Sequence, residues 1–534
     1  ALSFQHWIPR QSELSLYYLS LDIAVVLKGD TSEIPLIPPP VLAATVRASV
    51  LAFGDRRLEA EAYLTEGYQL RQRIEKIGAR PLDSIANVWQ PGRLKGIQVA
   101  RDHGVPFLAA TQVFDIRPTP RKWLALPRTQ DADERYIKHE WIVVTRSGTV
   151  GNAIMGYRAT DGMLISDDLL RVFTNRPEDR GYLYSFLRSR HARAMLRSSK
   201  YGNVIKHLEP EHLQAIPVVN VGDTIKGILN VAIEKSFALR GEAYELSVAA
   251  EKDLADAVGP VDLAGPEIGY SAKASALFRK SRRLDAYSYN PVAVAVLAAL
   301  KRSGRKCEPV AKLCERVFLP NRFVRGIPLP DGGVPILGSE ELFMVNPEID
   351  KFLPKSVADD ELMVKQNWIL LARSGQIYGI NGRVVLASKW HEKKIISDHA
   401  IRIVPKRVRP GYLLTALGHP TLGRPLVLRE VFGTSIPEID PGSVLDIPIL
   451  RLGDLEDAIA DKAERAAFLQ SAADEMENAA VTLIEAVISH AIGDASEDDV
   501  DAAFAGIRLM EIESAPESLV DGKALKARLA RIAS

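Results

Sequence analysis

An arginine and glycines directly after an apolar strand form the first arrangement in this chain with chemical potential. Thr145-Arg146-Ser147-Gly148-Thr149-Val150-Gly151-Asn152 (TRSGTVGN) follows Trp141-Ile142-Val143-Val144. Turn amides plus one guanidinium suit an anion. A P-loop would need a lysine followed by Ser or Thr after its second glycine, and none follows. The dinucleotide fingerprint fails too, because its third glycine and the helix it opens are missing. No GxSxG elbow is present. Asp167-Asp168 and Asp398-His399 lie on predicted strands and are expected to organise a turn. Glu392-Lys393-Lys394 matches only the last fragment of a nuclease metal site, with no Pro-Asp upstream at suitable spacing. An Asn-Pro-Pro-aromatic motif for base methylation is also missing. The two cysteines, Cys307 and Cys314, read as buried thiols rather than zinc ligands, since no second pair accompanies them.

The arginine turn has a twin. Ala372-Arg373-Ser374-Gly375-Gln376-Ile377-Tyr378-Gly379 (ARSGQIYG) follows the apolar Trp368-Ile369-Leu370-Leu371, 227 positions on (373 − 146). PGRLKGIQVARDHGVPFL at Pro91 matches PNRFVRGIPLPDGGVPIL at Pro320 without a gap, and LISDD at Leu164 matches IISDH at Ile395. Gly-Tyr-Leu at Gly181 recurs at Gly411, and YGNVIKHLEPEHLQAIPV at Tyr201 aligns with FGTSIPEIDPGSVLDIPI at Phe432. Upstream, RRLEA at Arg56 recurs as RRLDA at Arg282. The chain is therefore a tandem duplication of a unit of about 230 residues.

Each copy reads as a short helix, strands broken by Gly and Pro, the Arg-Ser-Gly turn, a helix near Gly-Tyr-Leu and a closing Ile-Pro strand. A long helical pattern follows each. In the second, Leu452, Leu455, Ile459, Lys462, Ala466, Leu469, Ala473, Met476, Ala480, Leu483 and Val487 make a heptad seam broken only by Lys462. In the first, Ile225, Ile228, Ala232, Leu239, Leu246 and Leu254 make a looser one. Helices of some 35 residues extend about 50 Å. Two of them are expected to pair and to hold the copies apart.

At 534 residues the chain exceeds one core. With 47% hydrophobic and 25% charged residues, it has an ordinary globular composition. The longest apolar run, Val292 to Leu300, cannot span a bilayer, and no export signal is visible at the start, which points to the cytoplasm without membrane partners. A formal net charge of +1 hides local excess. Arg188, Arg190, Arg193, Arg197, Lys200 and Lys206 crowd a stretch without acids, whereas DASEDDVD at Asp494 is acidic.

A strand ending in Arg-Ser-Gly, a later Ser-Asp strand, a Gly-Tyr-Leu helix, a basic stretch and a closing Ile-Pro strand, duplicated and separated by long helices, resemble the DNA-specificity subunit of type I restriction-modification systems over roughly residues 56 to 493. The fold this implies is α+β: two tandem α/β target-recognition domains related by a pseudo-two-fold axis and joined by two long antiparallel spacer helices in a coiled coil. The boundaries follow. Residues 1–55 are an N-terminal extension, 56–221 and 282–451 the two recognition domains, and 222–258 and 452–493 the spacer helices. Residues 259–281 are a linker, and 494–534 an acidic C-terminal segment. The extension and the C-terminal segment have no counterpart in the family pattern. The resemblance implies a non-catalytic subunit that reads a bipartite site in double-stranded DNA as part of phage defence. It would dock adenine methyltransferase subunits, two copies by expectation, and a motor/nuclease subunit in a restricting system. No cofactor is expected on this chain; S-adenosylmethionine, ATP and Mg belong to the partners. The rival readings are a duplicated DNA-binding adaptor of another phage-defence system and a protein–protein scaffold clamping two enzyme copies.

The DNA-contacting residues expected in copy one are Arg93, Lys95, Arg121, Lys122, Arg146, Ser147, Gly148, Arg190, Arg193, Arg197, Lys200, Tyr201, Asn203 and Lys206. In copy two they are Arg322, Arg325, Arg373, Ser374, Gly375, Lys389, Lys393, Lys394, Arg424 and Arg429. The two turns would meet phosphates through backbone amides and one arginine. Arg190, Arg193 and Arg197, at steps of three and four on one helix face, would neutralise backbone, with Lys200, Tyr201, Asn203 and Lys206 available to reach base edges. Arg121-Lys122-Trp123 and Lys389-Trp390 through Lys394 mix cations with an aromatic ring.

Overall fold

The computed structural model describes residues 2–3, 45–46, 63–126, 132–199, 207–262, 270–278, 283–323, 333–356, 358, 361–433 and 435–513. Most of the N-terminal extension, and the stretch containing Lys200, Tyr201, Asn203, Lys206 and Arg325, lie outside the described residues.

Both copies are mixed helix and sheet. Copy one opens with α1 (Glu66–Lys76), whose N-cap Thr65 accepts from the Tyr68 amide. Its strands are β1 (Asn87–Trp89), β2 (Gln98–Val99), β3 (Val105–Leu108), β4 (Lys122–Leu124), β5 (Ile142–Thr145), β6 (Ala153–Met155), β7 (Leu164–Ile165) and β8 (Leu169–Phe173). An antiparallel sheet runs β1-β8-β5-β6, and a smaller one runs β7-β3-β4-β2 with β3 and β7 parallel. Every residue of the central β5 is buried, which explains its unbroken Ile-Val-Val-Thr. Then come α2 (Arg180–Arg188), α3 (Arg190–Ser199), α4 (Pro210–Gln214) and the long α5 (Asp223–Val258).

Copy two repeats the order with α6 (Pro291–Arg302), β9 (Cys314–Phe318), β10 (Gly333–Leu337), β11 (Phe352–Pro354), β12 (Ile369–Ala372), β13 (Val384–Leu386), β14 (Ile395–Ile396) and β15 (Ala400–Pro405). Its sheets run β9-β15-β12-β13 and β11-β10-β14, with β10 and β14 parallel. The helices α7 (Pro410–Gly418), α8 (Gly423–Leu428), α9 (Leu455–Ala491) and α10 (Glu497–Glu513) follow. The Ile-Pro segments form short ribbons, Pro217–Val218 with Arg80–Pro81 and Pro448–Leu450 with Cys307–Pro309. Cys307 on that ribbon is exposed and Cys314 is half-buried, so the expectation of two buried thiols fails for the first. Burial still pushes Cys314 up to about 12.

α5 and α9 run antiparallel: Arg240 meets Asp474, and further along α5 Asp253 meets Lys462, earlier on α9. Lys462, the break in the seam, is thus paired. Three apolar stations lie along the two helices. Leu229, Ala232, Ile233 and Phe237 join Met476, Ala480, Leu483 and Ile488 in the core of copy one. Ala243, Ala466 and Leu469 pack together midway. Ala250, Leu254 and Val258 join Ile459, Ala460 and Ala463 in the core of copy two. Each long helix therefore serves both cores. Leu455 leaves the expected seam, being 37% exposed.

The copies are not held apart, contrary to expectation. Ile116 donates its amide to the Phe343 carbonyl (2.8 Å), and Val345 donates to the Phe114 carbonyl (2.7 Å). Helix α10 lies over α9, and Ile507, Phe504 and Ala503 add to the core of copy one. Among the described residues, no helix is long and apolar enough to cross a membrane.

Candidate nucleic-acid interface

The two Arg-Ser-Gly turns are built alike. The Arg146 amide donates to Asp168 O and the Arg146 carbonyl accepts from Leu208; Arg373 does the same with His399 and Ile439. Gly148 (φ 71°) and Gly375 (φ 127°) take the left-handed conformation that glycine permits. Each turn is thus stitched between the Ser-Asp turn and the segment before the closing strand. The Ser-Asp turns themselves are held by serine: Ser166 Oγ accepts from the Asp168 amide and Ser397 Oγ from the His399 amide. This is the turn-organising role expected there.

The arginine side chains have other partners than those expected. Arg146 reaches Glu209 at 2.5 Å and Arg373 reaches Glu438 at 2.7 Å, both guanidinium groups only 19% exposed. A carboxylate already neutralises each charge, which removes the electrostatic reason to place them on phosphate. Ser374 is buried against His399 Nδ1 at 2.7 Å. In the first turn Ser147 is half-buried and Gly148 exposed.

The basic helix is also corrected. It breaks at Ser189, which is extended, and restarts as α3. Arg193 is buried and joins Arg197 on Glu348 of copy two, at 2.9 and 2.7 Å. The Arg190 amide bonds Glu485 at 2.6 Å, and its side chain stays exposed. Arg188 is buried on Glu477 of α9 (2.8 Å) and donates to the Asn346 carbonyl (2.6 Å). This face fastens copy one to copy two, which explains why copy two has no matching run of arginines.

In copy two, Arg424 donates to the carbonyls of Ile377, Gly379 and Asn381 and so braces the second Arg-Ser-Gly loop. Burial, then Arg383 and Arg121, lower its pKa to about 10. Arg429 donates to Ser288 O (3.1 Å). Lys394 is buried, donates to Trp390 O and lies 3.5 Å from the Trp390 ring, and burial lowers it to about 8. Arg424 and Lys394 are thus turned inward, and Arg429 is half-buried. Arg93, Lys95, Lys122, Arg322, Lys389 and Lys393 do remain exposed. Arg121 is exposed too, but its guanidinium lies over the ring of Tyr378 in copy two, at 5.7 Å.

Some residues escaped the sequence reading. Arg171 and Arg402 are fully buried in equivalent strands and donate to carbonyls, Arg171 to Ser166 (3.0 Å) and Arg402 to Ser397 (2.8 Å). Burial brings them down to about 9 and about 10. The signal was present: an arginine inside the apolar run of LISDDLLRVF and again in IISDHAIRIV. Arg240 is likewise buried, bonding Asp474 and Glu477 at 2.7 Å each. Burial alone would raise the Glu477 pKa, but Arg240 and Arg188 together bring it below its ordinary value. A single lysine break in the heptad seam gave no warning of this cluster.

No family model matches the chain, and no curated protein matches it. Among solved structures, similar chains include the type I restriction-modification S subunit from M. genitalium, at 12% identity and TM-score 0.29, covering 78% of this chain and 94% of that one. The HsdS subunit from Thermoanaerobacter tengcongensis is similar at 14% identity and TM-score 0.23, covering 78% and 96%. The type IIG restriction endonuclease BpuSI covers 38% of this chain and 32% of its own, at 14% identity and TM-score 0.26. These are distant likenesses and transfer no residue role to this chain.

Proposed function

We propose that this chain is a non-catalytic DNA sequence-recognition subunit of the type I restriction-modification kind, in which each copy reads one half of a bipartite site. One observation supports this above the others: two copies with the same strand order share a single pair of antiparallel long helices, so that two equivalent readers sit in a fixed mutual orientation. An approximate two-fold axis would pass between them, as suits a divided target. The helix pair would act as the shared axis of the two copies and as a docking surface for adenine methyltransferase subunits, which would supply the S-adenosylmethionine chemistry, with ATP and Mg in a motor subunit.

The DNA contacts are assigned to Arg93, Lys95, Lys122, Ser147 and Gly148 in copy one and to Arg322, Lys389 and Lys393 in copy two. Lys200, Tyr201, Asn203, Lys206 and Arg325 keep the role expected from sequence. Exposed lysines and arginines on strands and turns supply sequence-independent grip, while neighbouring loops carry base contacts. An electrophoretic shift series between 50 and 200 mM salt tests the reading. Binding of a duplex carrying the bipartite site should weaken steeply as salt rises. A chain that shifts no duplex at low salt would favour a protein scaffold instead.

A further inference from the structure

A cavity of about 240 Å³ lies where the two copies meet the long helices. Arg121 of copy one and Arg383 and Arg424 of copy two all line it. The acids on its walls do not balance these three. Glu251 pairs with Arg117 and Asp474 with Arg240, at 2.8 and 2.7 Å. Glu341 turns back to accept the Gly338 amide at 2.5 Å. That leaves Asp115, which bonds Arg383 at 3.1 Å, and Glu341 as two carboxylates set against three guanidinium groups. Arg424 is matched only by loop carbonyls, and among the described residues no ion pair holds Arg121.

Buried donors are also unused. Nε of Arg424 has no hydrogen-bond partner, nor do Nε and Nη1 of Arg240, a fully buried residue on the same walls. Buried donors without partners are costly, and guanidinium groups on one wall repel each other in a poorly hydrated site. Both costs fall if an anion with several oxygens occupies the space.

We propose that this inter-copy cavity binds a small phosphate-bearing molecule, held by Arg121, Arg383 and Arg424. Guanidinium groups match the oxygens of phosphate, and three of them lining one cavity from two copies suit a tetrahedral group with charge of about −2. Asp115 would hold Arg383 in place without cancelling the cluster. Because Arg121 comes from one copy and Arg383 and Arg424 from the other, occupancy would tie the two copies together. This site is separate from the exposed cations assigned to DNA.

The test is calorimetric titration of the full chain with inorganic pyrophosphate in a phosphate-free buffer, with added sodium chloride of equal ionic strength as control. One pyrophosphate per chain should bind saturably and raise the melting temperature. Arg121→Gln, at an exposed position, should weaken it by about tenfold. Arg101→Gln, another exposed arginine on an aromatic ring, should leave it unchanged. No saturable heat, an Arg121→Gln protein that binds like the parent, or citrate binding as tightly as pyrophosphate would each overturn the proposal. DNA shifts run separately in phosphate-free buffer keep the outcomes distinct. A chain that takes pyrophosphate but no duplex refutes DNA reading alone, and the reverse refutes this site alone.

Discussion

Asp115 and Met344 face each other across the contact between the two copies, although they occupy the same position in the duplicated sequence. The bonds on either side are reciprocal, Ile116 to Phe343 and Val345 to Phe114. Equivalent backbone therefore pairs with itself, as in an isologous dimer interface within one chain. The side chains break the likeness: copy one brings a carboxylate where copy two brings a thioether. Arg383 answers that carboxylate at 3.1 Å.

Burial, against the pull of Arg383, raises Asp115 to about 6. Its folded pKa thus lies above the unfolded value, so the folded state binds the proton more tightly. The stability this contributes is complete below about pH 4 and is lost as pH rises through about 6. The contribution amounts to roughly 3 kcal/mol at most. Asp474, also raised to about 6, acts in the same direction. Urea unfolding at pH 5 and at pH 7.5 should show a smaller difference for Asp115→Asn than for the parent. Equal pH dependence in the two proteins would mean that Asp115 is solvated.

Leu469 sits in the midway station between the long helices and Met476 in the core of copy one, each 1% exposed. Aspartate at either position would be an unpaired charge in an apolar contact. Leu469→Asp or Met476→Asp should each cost about 3 kcal/mol or more, read as a lowered urea midpoint. An unchanged midpoint would mean that the seam is not packed as described.

The duplication and the long helices were legible because they rest on pattern. A repeated run such as Pro91–Leu108 needs no structure to be seen, and the apolar spacing from Ile459 to Leu483 fixes a helix face. What the pattern could not give was the partner of each charge. Arg193 and Arg197 have the same spacing whether they face phosphate or Glu348. That choice depends on where copy two folds against copy one, which is a long-range fact. Arg146 finds Glu209 and Arg373 finds Glu438, at positions that the gapless alignment does not equate, so even the repeat hid the pairing.

The Gly-Tyr-Leu motif predicts its own sensitivity. A Cβ at Gly181 would lie 2.4 Å from Asn230 Cα, and one at Gly411 would lie 2.5 Å from Ala460 O. The Gly181 amide donates to Asn230 Oδ1 and the Gly411 amide to Glu464 Oε1. The next residue in each copy, Tyr182 or Tyr412, donates its hydroxyl to Val219 O or Leu450 O. Each motif is therefore a close seat of a short helix on a long one. Gly181→Ala and Gly411→Ala should each cost about 1–3 kcal/mol in thermal or urea unfolding, because helix backbone cannot move aside cheaply. A loss below the error of the measurement would contradict so tight a seat.

The last prediction separates a structural arginine from a DNA-facing lysine. Arg146→Ala removes the guanidinium that pairs with Glu209 in a half-buried turn, so it should lower stability by about 1 kcal/mol. It should leave the salt dependence of duplex binding unchanged, since its charge is already spent on a carboxylate. Arg373→Ala should behave alike through Glu438. Lys122→Ala removes an exposed cation from β4 and should do the opposite. Its unfolding should match the parent, while affinity falls by a similar factor on cognate and scrambled duplexes. The slope of log affinity against log salt should also drop by about one. Titrations at several salt concentrations on both duplexes measure all three variants. If Arg146→Ala flattens the salt slope and Lys122→Ala does not, the turns rather than β4 meet the DNA backbone, and the carboxylate pairing must open when DNA binds.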